Sequence, residues 1–67
     1  MDIRRIKVGE EFKFINKKTK KRVNKRTLNR IKSLRIPPSY KKIKISNKAN
    51  DKIQAIGQDE LGRKQYI

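Results

Sequence analysis

The fold turns on the stretch Val23-Asn24-Lys25-Arg26-Thr27-Leu28-Asn29-Arg30-Ile31-Lys32-Ser33-Leu34-Arg35-Ile36-Pro37-Pro38 and on Lys42-Ile43-Lys44-Ile45-Ser46 just beyond it. Leu28, Ile31 and Leu34 recur every three residues and form one apolar stripe of a helix. Lys25, Arg26, Arg30 and Lys32 take the other faces. Asn24 sits where an N-cap belongs, able to accept from the backbone N–H of Thr27. Val23 and Leu28 hold the two positions of a hydrophobic staple. Pro37 disfavours helical geometry at Ile36, so the helix ends near Leu34 or Arg35. Pro37-Pro38 then forces an extended link. Past it the period drops to two. Lys42 to Ser46 alternates as a strand does when one side is buried and the other solvated.

Working outward, Phe12 and Phe14 alternate within Glu11 to Ile15, a strand pattern. Asn16-Lys17-Lys18-Thr19 has turn composition, and Lys20 to Val23 reads as the returning strand of a hairpin. Ile3, Ile6 and Val8 alternate only loosely, so Ile3 to Val8 is an edge strand or a disordered lead-in. Asn47 to Asp51 is a loop. Lys52 to Gln58 is a further strand whose facing stays open, with Ile53, Ala55 and Gly57 on one side and Gln54, Ile56 and Gln58 on the other. Asp59-Glu60-Leu61-Gly62 resembles a tight turn, with Gly62 at the left-handed position. Arg63 to Ile67 returns from it. The fold class is α+β: a small, mainly antiparallel sheet of about five strands with one or two short helices, in one domain spanning residues 1–67. The last strand runs to Ile67 without a polar end, so the chain is expected to be part of a longer polypeptide.

Charge bounds the partners. Among 67 residues, 21 are Lys or Arg and 6 are Asp or Glu, a net charge of +15. Such an excess repels itself and attracts polyanions. Apolar residues make up 33% of the chain. They form no long run or strongly apolar helix face, which argues against a membrane partner. The start, Met1-Asp2-Ile3-Arg4-Arg5-Ile6, is too charged for a signal peptide. With neither Cys nor His, there is no disulfide, no thiolate chemistry and no zinc site of the Cys/His kind. An intracellular setting is expected, wherever the nucleic acid lies: cytoplasm, virion, nucleoid or nucleus. Glu10-Glu11 and Asp59-Glu60 are the acidic neighbours, and neither has a His or a metal-ligand spacing beside it. No catalytic residue, metal, cofactor or small-molecule ligand is expected in these residues.

Two stretches resemble the N-terminal domain of poxvirus-like and bacterial type IB DNA topoisomerases. One is the basic helix running from Thr27 into Ile36-Pro37-Pro38. The other is Ile53 to Tyr66, with the core Gly57-Gln58-Asp59-Glu60-Leu61-Gly62-Arg63-Lys64-Gln65-Tyr66. The resemblance covers roughly Gly9 to Ile67, including the Phe12-Lys13-Phe14 hairpin. It implies one jaw of a C-shaped clamp on double-stranded DNA, over the major groove, opposite a catalytic domain in the same polypeptide. That second domain would nick, relax and religate DNA through a 3′-phosphotyrosyl intermediate, without ATP or metal. Tyr40 and Tyr66 lie in no such catalytic motif. The family often carries another aromatic two positions past the motif tyrosine, which falls at position 68.

The resemblance makes Arg63, Lys64, Gln65 and Tyr66 the leading DNA-contact candidates, with Gln65-Tyr66 in the groove and Arg63 on a phosphate or base edge. Gln pairs bidentately with adenine, and Arg or Lys with guanine. On a strand, however, Arg63 and Gln65 share one face, while Lys64 and Tyr66 share the other. The competing reading packs Tyr66 on the core and leaves the charges merely solvated. Lys17, Lys18, Lys20, Lys21 and Arg22 are a second candidate: a phosphate clamp on a hairpin tip, a nuclear-localisation patch, or a solvated loop. Lys25, Arg26, Arg30 and Lys32 would add non-specific attraction. Phe12, Phe14, Leu28, Ile31 and Leu34 are read as core. A small basic RNA-binding or ribosomal-type protein is the alternative, though it would normally show stacking aromatics on a sheet face.

Overall fold

The computed structural model describes residues Met1–Ile67. Its strands are β1 (Ile3–Val8), β2 (Glu11–Asn16), β3 (Lys21–Arg22), β4 (Lys41–Ile45), β5 (Ala55–Gln58) and β6 (Lys64–Tyr66), with one helix, α1 (Lys25–Ser33), between β3 and β4. All pairings are antiparallel, in the order β3-β2-β1-β4-β5-β6. The α+β expectation holds, with six strands in place of about five and a single helix.

The helix forms as its local signals dictate. Asn24 is the N-cap, and its side chain accepts from the Thr27 N–H at 2.8 Å. The helix closes at Leu34, and Arg35 follows in the left-handed region at φ +52°, the cap conformation that glycine usually fills. The chain then folds back sooner than an extended link would. The Tyr40 N–H donates to Pro37 O at 3.1 Å, so Pro38 and Ser39 form a turn that brings β4 beside β1.

One residue of the helix, Ile31, is buried, and it seals Ile3, Ile43, Ile45 and Ala55 beneath it. Phe14 and Leu34 pack around this core, as do Val23, Ile36, Tyr40 and Ile67, while Phe12 and Leu28 are half-buried at its margin. Ala55 and Gly57 face the core, which settles the facing of β5. Gly57 has no side chain because the Cδ1 of Ile43 lies where a Cβ would stand.

Two strands differ from expectation. β1 is neither an edge nor a lead-in: it pairs with β2 along its whole length and with β4 at Ile3 and Arg4. Its pattern was loose because its apolar residues divide between faces. Ile3 lies in the core, whereas Ile6 and Val8 are 45% and 49% exposed on the other side. Arg5, on the core side, donates to the carbonyls of Pro37 (3.2 Å) and Tyr40 (2.7 Å) and stacks over Phe12. β5 is shorter than Lys52–Gln58: it begins at Ala55, and before it the Gln54 side chain donates to the carbonyls of Lys48, Ala49 and Asp51.

A core of five residues leaves little to lose. Ile45, with no exposed surface, is its middle, and Ile45→Ala should cost about 2–5 kcal/mol. In a domain this small that is enough to leave much of the population unfolded. Urea titration followed by circular dichroism checks it; a midpoint within error of the parent would contradict this core.

Candidate nucleic-acid interface

The register of the sheet lines up one residue from every strand on the face away from α1. Arg22 pairs with Ile15, Ile15 with Arg4, Arg4 with Lys44, Lys44 with Ile56 and Ile56 with Tyr66. At about 4.8 Å per strand, this row is about 24 Å long. No element covers it. Tyr66 is 59% exposed at one end, and Arg22, Lys44 and Lys64 are also exposed. Lys42, Lys44 and Lys64 line a hollow of about 160 Å³ over Ile56 and Gln58. Lys64 Nζ lies 5.9 Å from the centre of the Tyr66 ring. The face therefore alternates cations with apolar patches, and the acidic residue in its paired positions is Glu11, opposite Val8 at the far end of β1 and β2.

The β5–β6 hairpin that carries Tyr66 is built on Asp59. The Asp59 side chain is buried at the turn. Its Oδ1 accepts from the N–H groups of Leu61 and Arg63, both at 2.9 Å, and its Oδ2 accepts from Arg63 Nε (2.8 Å) and Gln65 Nε2 (3.0 Å). Gly62 completes the turn at φ +78°, where a side chain would be strained. The backbone N–H of Arg63 does most to hold the Asp59 carboxyl below its ordinary pKa. Burial opposes it, and the Arg63 guanidinium, the Leu61 N–H and the Gln65 amide reinforce it.

The four leading candidates are thus divided. Lys64 and Tyr66 present to the open face, by register with Gln58 and Ile56. Gln65 pairs with Gly57 on the core side, and both it and Arg63 are held by Asp59. Since β6 is an edge strand, both sets flank one exposed border. Gln65 keeps its Oε1 and one N–H free of Asp59. Tyr66 does not pack on the core. The second candidate cluster lies at the opposite edge. Lys17, Lys18 and Lys20 occupy the β2–β3 turn, where Lys18 pairs with Asp2 at 3.6 Å. Of the strand that follows, Arg22 joins the open-face row and Lys21 pairs with Asn16 on the other side. The helix cations are not equivalent either: Arg30 is a fastener, donating to Gln54 Oε1 and to Ser46 O. Sequence reasoning missed Arg4, Lys42 and Lys44 as members of the face. The alternation of β4 was the available signal for Lys42 and Lys44.

These features define a class: a small one-sided antiparallel sheet, closed by one helix, that displays unpaired cations on its bare face. Residues 11–59 match the family described as Bacterial DNA topoisomerase IB, N-terminal domain. The chain belongs to that family. It is also 39% identical over 64 residues, 96% of its length, to the DNA topoisomerase 1B of Acanthamoeba polyphaga mimivirus, and it spans 19% of that protein. No solved structure matches it. The family match stops at Asp59, so the strand from Arg63 to Tyr66 lies outside it.

Asp59 gives the hairpin a pH dependence whose sign is fixed. Because folding lowers its pKa, the stabilisation is complete above the unfolded value of about 4 and fades as pH falls through the folded value. Asp59→Asn should melt at lower temperature than the parent at pH 7, and the gap should narrow toward pH 2. Thermal melts across that range test this; parallel curves would show that the carboxylate contributes no such linkage.

Proposed function

We propose that this domain grips double-stranded DNA for a type IB topoisomerase, with the open face of the sheet against the duplex and the β5–β6 hairpin in the major groove. The observation that carries the reading is the six-strand row from Arg22 to Tyr66, cationic and bare from edge to edge. A two-stranded ribbon fits a major groove about 12 Å wide, whereas the full row of about 24 Å reaches past it to the phosphates on both rims. Lys44, Lys64, Arg4 and Arg22 then neutralise phosphates. Ile56 and Tyr66 supply apolar contact. Gln65, at the border, offers an acceptor and a donor, the pattern that adenine's edge complements. Arg63 is a further candidate, though contact with DNA would compete with Asp59. Lys17, Lys18, Lys20 and Lys21 add diffuse attraction at the far edge.

In this reading the domain supplies grip, and chemistry belongs to a catalytic domain of the same polypeptide. That domain would nick one strand through a 3′-phosphotyrosyl link, let supercoils relax and religate, inside the cell where DNA is kept.

Phosphate contacts release counterions and carry no sequence information. Neutralising about four phosphates gives a log–log salt slope near −4, and Lys44→Gln or Lys64→Gln should each reduce it by about 1 on every duplex. Gln65→Ala should instead cost on the order of 1–3 kcal/mol at a preferred site and less elsewhere. Fluorescence anisotropy with the full chain between about 50 and 200 mM salt measures both. Amide shifts confined to α1 on titration with duplex, or tighter binding to structured RNA, would overturn the assignment.

A further inference from the structure

We infer that the phosphate-binding surface turns the end of the sheet through Lys42, so that the Pro37–Tyr40 side of the molecule holds a second segment of DNA backbone. The inference rests on the DNA-gripping reading and extends it to residues that the groove contact does not use.

Lys42 belongs to two hollows at once. It lines the open-face hollow with Lys44 and Lys64. It also lines a neighbouring hollow of about 450 Å³ with Arg5, Lys7 and Lys41, walled by Phe12 and Tyr40. Arg5, Phe12 and Pro38 continue into a third hollow of about 490 Å³, where Lys32 and Arg35 stand. Cations therefore run without a break from the open face, around the end of β4, to the C-terminal end of α1. The acidic residue bordering this path is Glu11, which makes no ion pair. The two ion pairs of the molecule, Lys18–Asp2 and Arg63–Asp59, lie elsewhere.

The backbone adds an independent argument. Arg35 and Lys42 both sit in the left-handed region, at φ +52° and +53°. That conformation is unfavourable for a side chain and natural for glycine. Arg35 ends a helix, and Lys42 lies at the register shift between Lys41 and Lys44. Glycine would serve the backbone better at both places. What arginine and lysine supply there is charge. Arg5 fixes the floor between them, since neutral carbonyls satisfy its guanidinium and leave its charge uncancelled. A row of fixed and mobile cations bordered by one carboxylate, Glu11, is suited to a polyanion of regular spacing, which the open face already implies to be duplex DNA.

The test exploits the strained backbone. Arg35→Gly and Lys42→Gly remove charge while relaxing the chain, so both should melt no lower than the parent. The molecule is 31 Å across its long axes. It therefore covers about nine base pairs at about 3.4 Å each. Affinity and salt slope are measured by anisotropy for the full chain on duplexes of about ten and about twenty-five base pairs. On the long duplex the double variant should lose about two of the slope and bind at least tenfold more weakly at low salt. On the short duplex Arg35→Gly should match the parent. Lys52→Gln, in the exposed loop at the other end of β4, is the control and should change neither. Long-duplex binding by the double variant equal to the parent's overturns this inference and leaves the groove contact standing, as does an equal loss for Arg35→Gly on both lengths. Failure of the parent to bind either duplex at about 50 mM salt overturns both.

Discussion

One nine-residue helix has to cover a six-stranded sheet. It cannot cover both faces. From α1, Ile31 alone is buried, and the core it closes, Ile3, Ile43, Ile45 and Ala55, occupies the middle strands on one side. Everything else follows from that shortage. The reverse face must be tolerable to water, so it is built from Arg4, Lys44 and Lys64 with Ile15, Ile56 and Tyr66 between them. Away from the helix, even the core side runs out of apolar cover. There Arg5 replaces a hydrophobic residue and is held by the carbonyls of Pro37 and Tyr40.

Scarce acids change how such a chain fastens itself. With 6 acidic residues against 21 basic ones, cations cannot all be paired, and the arginines that tie elements distant in sequence bind neutral acceptors. Arg30 takes Gln54 and Ser46 O, and Arg5 takes backbone carbonyls. The acids are used instead as turn-formers: Asp59 gathers two backbone N–H groups, Arg63 and Gln65, and Asp51 accepts from the Ser46 hydroxyl within the β4–β5 loop. Both choices leave the net charge almost uncancelled. The folded state thus stores self-repulsion, which a polyanion relieves.

What could be read from the residues divides along locality. The helix was legible at both ends because its cap, its stripe and its proline stop act within a few residues. β2, β4 and the Asp59–Gly62 turn were legible for the same reason. β1 was not, because Ile3 serves the core while Ile6 and Val8 serve the open face, and only its two neighbours fix it as an interior strand. The separation of Lys64 and Tyr66 from Arg63 and Gln65 followed from strand parity alone. The row from Arg22 to Tyr66 did not follow, since it depends on five pairing registers that no short stretch specifies. The meeting of Arg35 and Lys42 around Arg5 was hidden as well. It needs the turn at Pro38-Ser39, where two prolines alone suggested an extended link.

The arrangement at Asp59 also bears on how a cationic sheet could prefer one sequence. Lysines on a bare face answer to phosphate spacing, which every duplex shares. Preference needs a polar group whose orientation is set before DNA arrives, because a freely rotating amide offers acceptor and donor to either neighbour. Gln65 has one N–H committed to Asp59 Oδ2 at 3.0 Å, and that bond decides which way its amide points. The same carboxylate holds Arg63 and closes the turn, so the orientation of Gln65 is tied to the rigidity of the whole hairpin. An aspartate that first appears to be a turn residue thereby separates affinity from selectivity. Under the proposed DNA-gripping function, the cations would attract any duplex, and the amide fixed beside them is where a choice among duplexes would have to be made.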